Sequence, residues 1–168
     1  DHYDAGRYDE LLRDVWVHGD RVPSRIGGTR EVVGLTTFSH PGLMLDRPGI
    51  NHTLGFSEAL QVLAGRFEPE WLRAAAPKAD HSLFTLQMAY GPRVKKQMFE
   101  VVRELTIDPL SRRVVVYVGE PGESLDDRPC TETIQFIVSE GWLFTVVAMR
   151  SWDLVKGMPY DLMVFGAL

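Results

Sequence analysis

The sequence predicts a mixed α/β, or α+β, domain: a sheet of β-branched strands with helices packed against it. Three observations lead there. Apolar residues recur at helical spacing near residues 8–17, 54–63 and 94–105, and β-branched apolar runs follow from residue 114 onward. Gly, Pro and Asp clusters punctuate the intervals. The resulting order of helix, strand, helix, strand, strand, strand mixes the two element types within one layered unit.

The first helix is expected over Tyr8–Val17, where Leu11, Leu12 and Val15 share a face, and it should stop before His18-Gly19. A loop containing Pro23 and Gly27-Gly28 then leads to a strand-like run, Val32–Phe38. Arg21, Arg25 and Arg30 lie near this glycine turn, and a guanidinium beside exposed backbone N–H groups suits phosphate. Ordinary surface charge explains the same arginines more simply. Residues 54–63 read as a helix through Leu54, Ala59, Leu60, Val62 and Leu63. Ser57 and Glu58 interrupt that stripe, and a glutamate in such a helix ordinarily faces water. Residues 66–82, around Trp71 and Pro77-Lys78, define no element. Tyr90-Gly91-Pro92-Arg93 reads as a turn.

The clearest helix covers residues 94–105, with Val94, Met98, Val101, Val102 and Leu105 as its apolar positions; Asp108-Pro109 ends it. Ser111-Arg112-Arg113 then opens onto a β-branched strand at residues 114–118. Side chains alternate along a strand, so the two arginines cannot face the same way, and one is free to serve a neighbouring subunit. Residues 119–129 form a polar loop. Ile134–Val138 and Trp142–Met149 read as two strands of a hairpin joined through Ser139-Glu140-Gly141. Asp153–Gly157 is expected to turn, and Tyr160–Leu168 to begin a helix or buried segment.

At 168 residues and 45% hydrophobic content, the chain fits one domain, residues 1–168, with a sizeable core. Eighteen Lys and Arg stand against 23 Asp and Glu, so no general field attracts nucleic acid, and an anion must be held by local arginines. One cysteine forms no internal disulfide, and no spacing resembles a zinc or iron–sulfur site. No run approaches the ~18 apolar residues of a membrane span, and the charged start does not resemble a signal peptide. The cytoplasm is the expected compartment.

Chemistry concentrates between residues 130 and 161. Cys130 follows Pro129 at a loop–strand junction; a lone cysteine is most often a small buried hydrophobe, but this junction also suits a thiol facing a cavity. Arg150 and Ser151 close the neighbouring strand. If Arg150 folds back toward Cys130, its charge favours thiolate over thiol. Asp153 and Asp161 add two carboxylates close by.

Pro129-Cys130, Gln135-Phe136, Val138, Gly141, Arg150-Ser151, Asp153, Gly157 and Pro159 together resemble the catalytic core of the thymidylate synthase family, including its pyrimidine 5-hydroxymethylase branch. Ordered matches reach farther back: Arg25 with Gly27-Gly28-Thr29, Glu58, Tyr90-Gly91, Asp108-Pro109 and Ser111-Arg112-Arg113-Val114. The resemblance implies that Cys130 adds to C6 of a pyrimidine nucleoside monophosphate. It implies that Arg150 contacts both the thiolate and the phosphate, with Arg25 and Ser151 also on the phosphate. Arg112 and Arg113 would reach the phosphate in the neighbouring subunit of a homodimer whose interface is a sheet face. Glu58 would arrange water and protons around base and cofactor. Asp153 would face the folate, 5,10-methylenetetrahydrofolate, and Tyr90 and Gln135 would line the substrate site.

Two departures bear on the substrate. Thr131 follows the nucleophile where the family's thymidylate synthases usually have histidine, and Asp161 stands where uracil-specific members carry asparagine. Asparagine donates to uracil O4 and accepts from N3–H; ionised aspartate only accepts, which suits the N4 amino group of cytosine and a protonated N3. The resemblance with this exchange therefore implies a cytidylate, CMP or dCMP. Cytosine-preferring members are mostly hydroxymethylases, found in phage DNA modification and bacterial nucleoside antibiotic pathways. A reductive 5-methylase acting on dCMP or dUMP and a catalytically inert member are the alternatives. Members of the family continue past the end of this sequence with a His-x-Tyr element and a segment that closes over folate, so the domain is expected to be incomplete at its C-terminus.

Overall fold

The computed structural model describes residues 6–24, 27–40, 47–80, 84–85, 89–126 and 128–168. Helix α1 spans Gly6–His18, strands β1 and β2 span Asp20–Ser24 and Gly27–Glu31, and helices α2 and α3 span His52–Ala64 and Pro69–Ala75. Helix α4 follows at Tyr90–Ile107, then strands β3 (Val115–Tyr117), β4 (Thr131–Ser139) and β5 (Trp142–Met149), and helix α5 (Met158–Ala167). The mixed architecture expected from sequence is present. Strands β3, β4 and β5 form an antiparallel sheet in that order, and β1 and β2 form a separate antiparallel ribbon.

One face of the sheet carries the core. Val116, Ile134 and Phe136 point into it and meet Ala59 and Val62 of α2, Val94 and Val101 of α4, and Val164 and Phe165 of α5. Alternation then leaves Tyr117 and Val146 on the opposite, open face, where both are exposed. A second cluster joins Tyr8 and Leu11 of α1 to Met158 and Leu162 of α5. The β4–β5 connection is a two-residue turn, with Ser139 paired to Trp142 and both Glu140 and Gly141 at positive φ (52° and 79°), as a type I′ hairpin requires.

A register shift in β4 interrupts strict alternation. Thr131 pairs with Met149 and Thr133 with Ala148, leaving Glu132 as the extra residue. The carbonyl of Glu132 is nevertheless used, accepting from the N–H groups of Val118 and Gly119 at 2.9 and 3.1 Å.

Several expectations need correction. The run at residues 32–38 is not a strand: Gly34 takes φ 75°, in the left-handed region, and Val33 is almost fully exposed. The extended structure lies earlier, in the β1–β2 ribbon, where Arg21 pairs with Arg30. Tyr90-Gly91-Pro92-Arg93 is the first turn of α4 instead of a separate turn; proline is tolerated there because a first-turn N–H has no helical partner. On α2, Leu60 and Leu63 are exposed while Gln61 is buried. Gln61 enters because its amide is satisfied on both sides, accepting from the Glu68 N–H at 2.6 Å and donating to the Glu68 carbonyl at 3.2 Å. Val102 on α4 is likewise exposed. Among the described residues, no helix is long and apolar enough to cross a membrane.

Candidate active site

Cys130 immediately precedes β4, Tyr90 opens α4, Glu58 lies midway along α2, and Asp161 lies in the first turn of α5. The three helices converge because two glycines permit close approach. A Cβ at Gly91 would stand 2.5 Å from the Arg66 carbonyl and 2.8 Å from that of Gln61, so the start of α4 sits directly on the end of α2. A side chain at Gly55, one turn before Glu58, would collide with Met163 and crowd Tyr160 of α5. Asn51 caps α2 by accepting from the Leu54 N–H at 3.1 Å, and its own N–H donates to the Tyr160 hydroxyl at 3.3 Å.

The electrostatics follow from this convergence. Burial pushes the Glu58 carboxyl up to about 7, and the charge of Asp161 adds to the rise. Glu58 therefore does not lie on the wet face expected for a mid-helix glutamate. Burial also pushes Asp161 up to about 6, opposed by a hydrogen bond from the indole N–H of Trp152 to Asp161 Oδ2 at 2.9 Å. The Tyr90 hydroxyl is pushed up by burial and then by Asp161, while Thr131 Oγ1 donates to it at 3.0 Å and lowers it. Phe165 stacks on the Tyr90 ring with centroids 6.3 Å apart. Thr131 itself is fully buried.

Arg150 does fold back. Its Nε donates to the Pro129 carbonyl at 3.1 Å and one terminal nitrogen to the Arg128 carbonyl at 2.8 Å, while its backbone N–H donates to the Cys130 carbonyl at 2.9 Å. The expected depressed thiol does not result. Burial raises Cys130 above the ordinary thiol value by more than Arg150 lowers it, and Asp161 and Glu132 push the same way as burial. The resting group is a thiol.

The other expected residues are less concentrated. Gln135 lies on β4 and donates to the Arg112 carbonyl at 2.9 Å. Arg113 pairs with Glu104 at 2.6 Å, whereas the Arg112 side chain is exposed with no ion-pair partner among the described residues. Ser151 is exposed. Asp153 builds the turn before α5: its Oδ1 accepts from the N–H groups of Val155 and Lys156 at 2.8 and 2.9 Å. Arg25 lies outside the described residues. Among those described, no group of three or more His, Cys, Asp or Glu is placed to hold a metal ion.

Sequence reasoning missed Trp152 and the loop clamp at Arg93. Arg93 is buried, donates to the Val118 carbonyl at 2.7 Å and pairs with Glu123, pinning the loop that leads to Cys130 onto α4. A tryptophan between the motif residues Ser151 and Asp153 was the available signal for the first. An arginine one turn beyond Tyr90 carried no comparable mark.

Fold and site together define an α/β domain that holds a single cysteine beside two carboxyls raised by burial and a partly buried phenol. The thymidylate synthase family model matches residues 69–168, and the chain belongs to that family. Thymidylate synthases of Coxiella burnetii, from strains Dugway 5J108-111, RSA 331 / Henzerling II and RSA 493 / Nine Mile phase I, are each 34% identical over 79 residues. These alignments cover 45% of this chain and 30% of each relative. Tyr90, Cys130, Arg150 and Asp161 fall inside the family match, and Glu58 falls before it.

Proposed function

We propose that this domain transfers a one-carbon unit to C5 of a pyrimidine nucleoside monophosphate, and that its substrate is a cytidylate, CMP or dCMP, converted to the 5-hydroxymethyl product. The observation that carries the choice of base is Asp161: a carboxyl in the first turn of α5, close enough to Glu58, Tyr90 and Cys130 to alter the protonation of each. Near neutral pH a carboxyl at about 6 is mostly ionised and accepts hydrogen bonds only. Cytosine N4 supplies a donor; uracil O4 would oppose acceptor to acceptor. An unsatisfied buried group costs about 1–3 kcal/mol, or roughly fivefold to more than a hundredfold in selectivity.

The remaining roles are those that the family resemblance implies. Cys130 Sγ adds to C6 of the base, which makes C5 nucleophilic. Because burial keeps the thiol protonated, its ionisation must accompany substrate binding, with Arg150 beside it to stabilise the anion. Glu58, at about 7, has both protonation states populated near neutrality and serves proton transfer around the base. Arg150 and Ser151, with Arg25, are assigned to the phosphate.

A methylenetetrahydrofolate supplies the one-carbon unit when bound. Beside Tyr160, the residue before Asp161, lies an open, mainly apolar hollow of about 330 Å³ that also carries Asn51 and Lys78, and the folate ring system is assigned there. Tyr160 would hold that ring and Asp153 its polar edge. A homodimer is part of the proposal: the exposed Tyr117 and Val146 on the open sheet face favour a second copy there, with Arg112 and Arg113 reaching its phosphate.

Purified protein given CMP, dCMP or dUMP with methylenetetrahydrofolate tests the reading. Tetrahydrofolate release with a hydroxymethylated cytidylate is expected. Dihydrofolate release would identify a reductive methylase instead, and no turnover with any of the three an inert member. Asp161→Asn should shift preference toward uracil by roughly tenfold or more; unchanged preference would remove Asp161 from base selection.

A further inference from the structure

We propose that Trp152 is a positioning residue that locks Asp161 as a hydrogen-bond acceptor, and that helix α1 holds Trp152 in place to do so. The significance of Asp161 for the base rests on the function proposed above; the link from α1 through Trp152 to Asp161 does not.

The indole N–H donates and cannot accept. Its 2.9 Å bond to Asp161 Oδ2 therefore rewards the charged carboxylate and fixes which oxygen is engaged. Oδ1 has no hydrogen-bond partner within the protein among the described residues, so it is the oxygen left for a ligand. A partner able to accept as well as donate would let a neutral acid turn its O–H onto it; the indole accepts nothing, so a neutral Asp161 would keep its carbonyl oxygen on Trp152 with a weaker bond than the carboxylate makes.

The ring is held from the other side by the N-terminal helix. Trp152 and Leu154 pack against the cluster formed by Tyr8 and Leu11 of α1 with Met158 and Leu162 of α5. The Tyr8 hydroxyl donates to the Leu154 carbonyl at 2.7 Å, tying α1 to the same turn that bears Trp152. Helix α1 lies entirely before the residues matched by the family model, yet it is two contacts from a carboxyl in the centre of the site. Glu58 from α2, Tyr90 from α4 and Cys130 before β4 are the titratable groups coupled to Asp161, and the Trp152 bond opposes the effect of burial on it.

The test replaces Trp152 by Phe, which keeps a packing ring and removes the donor. The Asp161 carboxyl is followed by ¹³C NMR titration of the ligand-free protein and assigned by its loss in Asp161→Asn. The midpoint should rise by about one unit from its position near 6, as expected for loss of a hydrogen bond to a charged group. An unmoved midpoint overturns the proposal. In the unaltered protein, the Trp152 indole ¹H–¹⁵N resonance should titrate with the same midpoint and become pH-independent in Asp161→Asn. A resonance flat across the Asp161 titration overturns the proposal even if the Phe variant fails to fold. With cytidylate as substrate, the acid limb of kcat should move up with the carboxyl midpoint in Trp152→Phe. A moved midpoint with unchanged turnover and base preference would leave the Trp152 link standing and refute the role given to Asp161.

Discussion

Replacing Glu58 by Gln should stabilise the protein at alkaline pH while abolishing turnover. Burial and the charge of Asp161 raise the Glu58 carboxyl from 4.5 to about 7. A carboxyl raised in the folded state binds a proton that the unfolded chain has already released. Its folding contribution is therefore intact below the unfolded value and is lost as pH climbs through the folded one. The rise amounts to about 3 kcal/mol once Glu58 is ionised, at ~1.4 kcal/mol per unit. Gln keeps the shape and cannot ionise, so it avoids that loss. Thermal unfolding near pH 4 should show little difference between the two proteins, while near pH 8.5 the variant should melt higher by roughly 6–12 °C for a domain of this size. Parallel pH profiles, or a variant less stable at the alkaline end, would refute the claim that Glu58 is held in a desolvated pocket beside a second acid.

Three further outcomes are expected. Cys130 should alkylate slowly at neutral pH and accelerate only above the ordinary thiol range, with Arg150→Gln slowing it further; rapid neutral modification, followed by iodoacetamide kinetics, would contradict the raised thiol. Gly91→Ala should cost about 1–3 kcal/mol, read by urea denaturation, because the added methyl meets backbone carbonyls of Arg66 and Gln61 that cannot rotate away. Arg93→Met should cost about 2 kcal/mol by the same assay, through loss of the bonds to Val118 and Glu123, and should slow turnover by loosening the loop before Cys130; an unaltered unfolding midpoint would show that the clamp carries no stability.

Legibility in the sequence tracked locality. Helix α4 was readable from Val94, Met98, Val101 and Leu105, since those residues share a face at fixed spacing. Strands β4 and β5 were readable from β-branched runs around a glycine turn. The β1–β2 ribbon was not: DRVPS and GGTRE lack alternation, and only pairing with each other makes them strands. Helix α3 is seven residues long, too short for periodicity to stand out. In the site, the family resemblance pointed to Cys130, Glu58, Arg150 and Asp161, yet not to their protonation. The sign of the Cys130 shift depends on how burial competes with Arg150, and that balance appears only once α2, α4 and α5 have converged.

The extra residue in β4 also fixes what kind of change this site can absorb. From Thr133 onward the strand is counted in one frame, with Ile134 and Phe136 facing inward; at Glu132 the count slips by one, so Thr131 turns inward and reaches Tyr90. Without that slip, strict alternation would turn Thr131 outward and Glu132 inward, offering Tyr90 a carboxylate in place of a hydroxyl. Cys130 is thus held in a reading frame separate from the core strand it adjoins. Point substitutions along the rest of β4 leave that frame untouched; deleting Glu132 would keep Thr131 inward on a regular strand, whereas deleting Thr131 would bring Glu132 to face Tyr90.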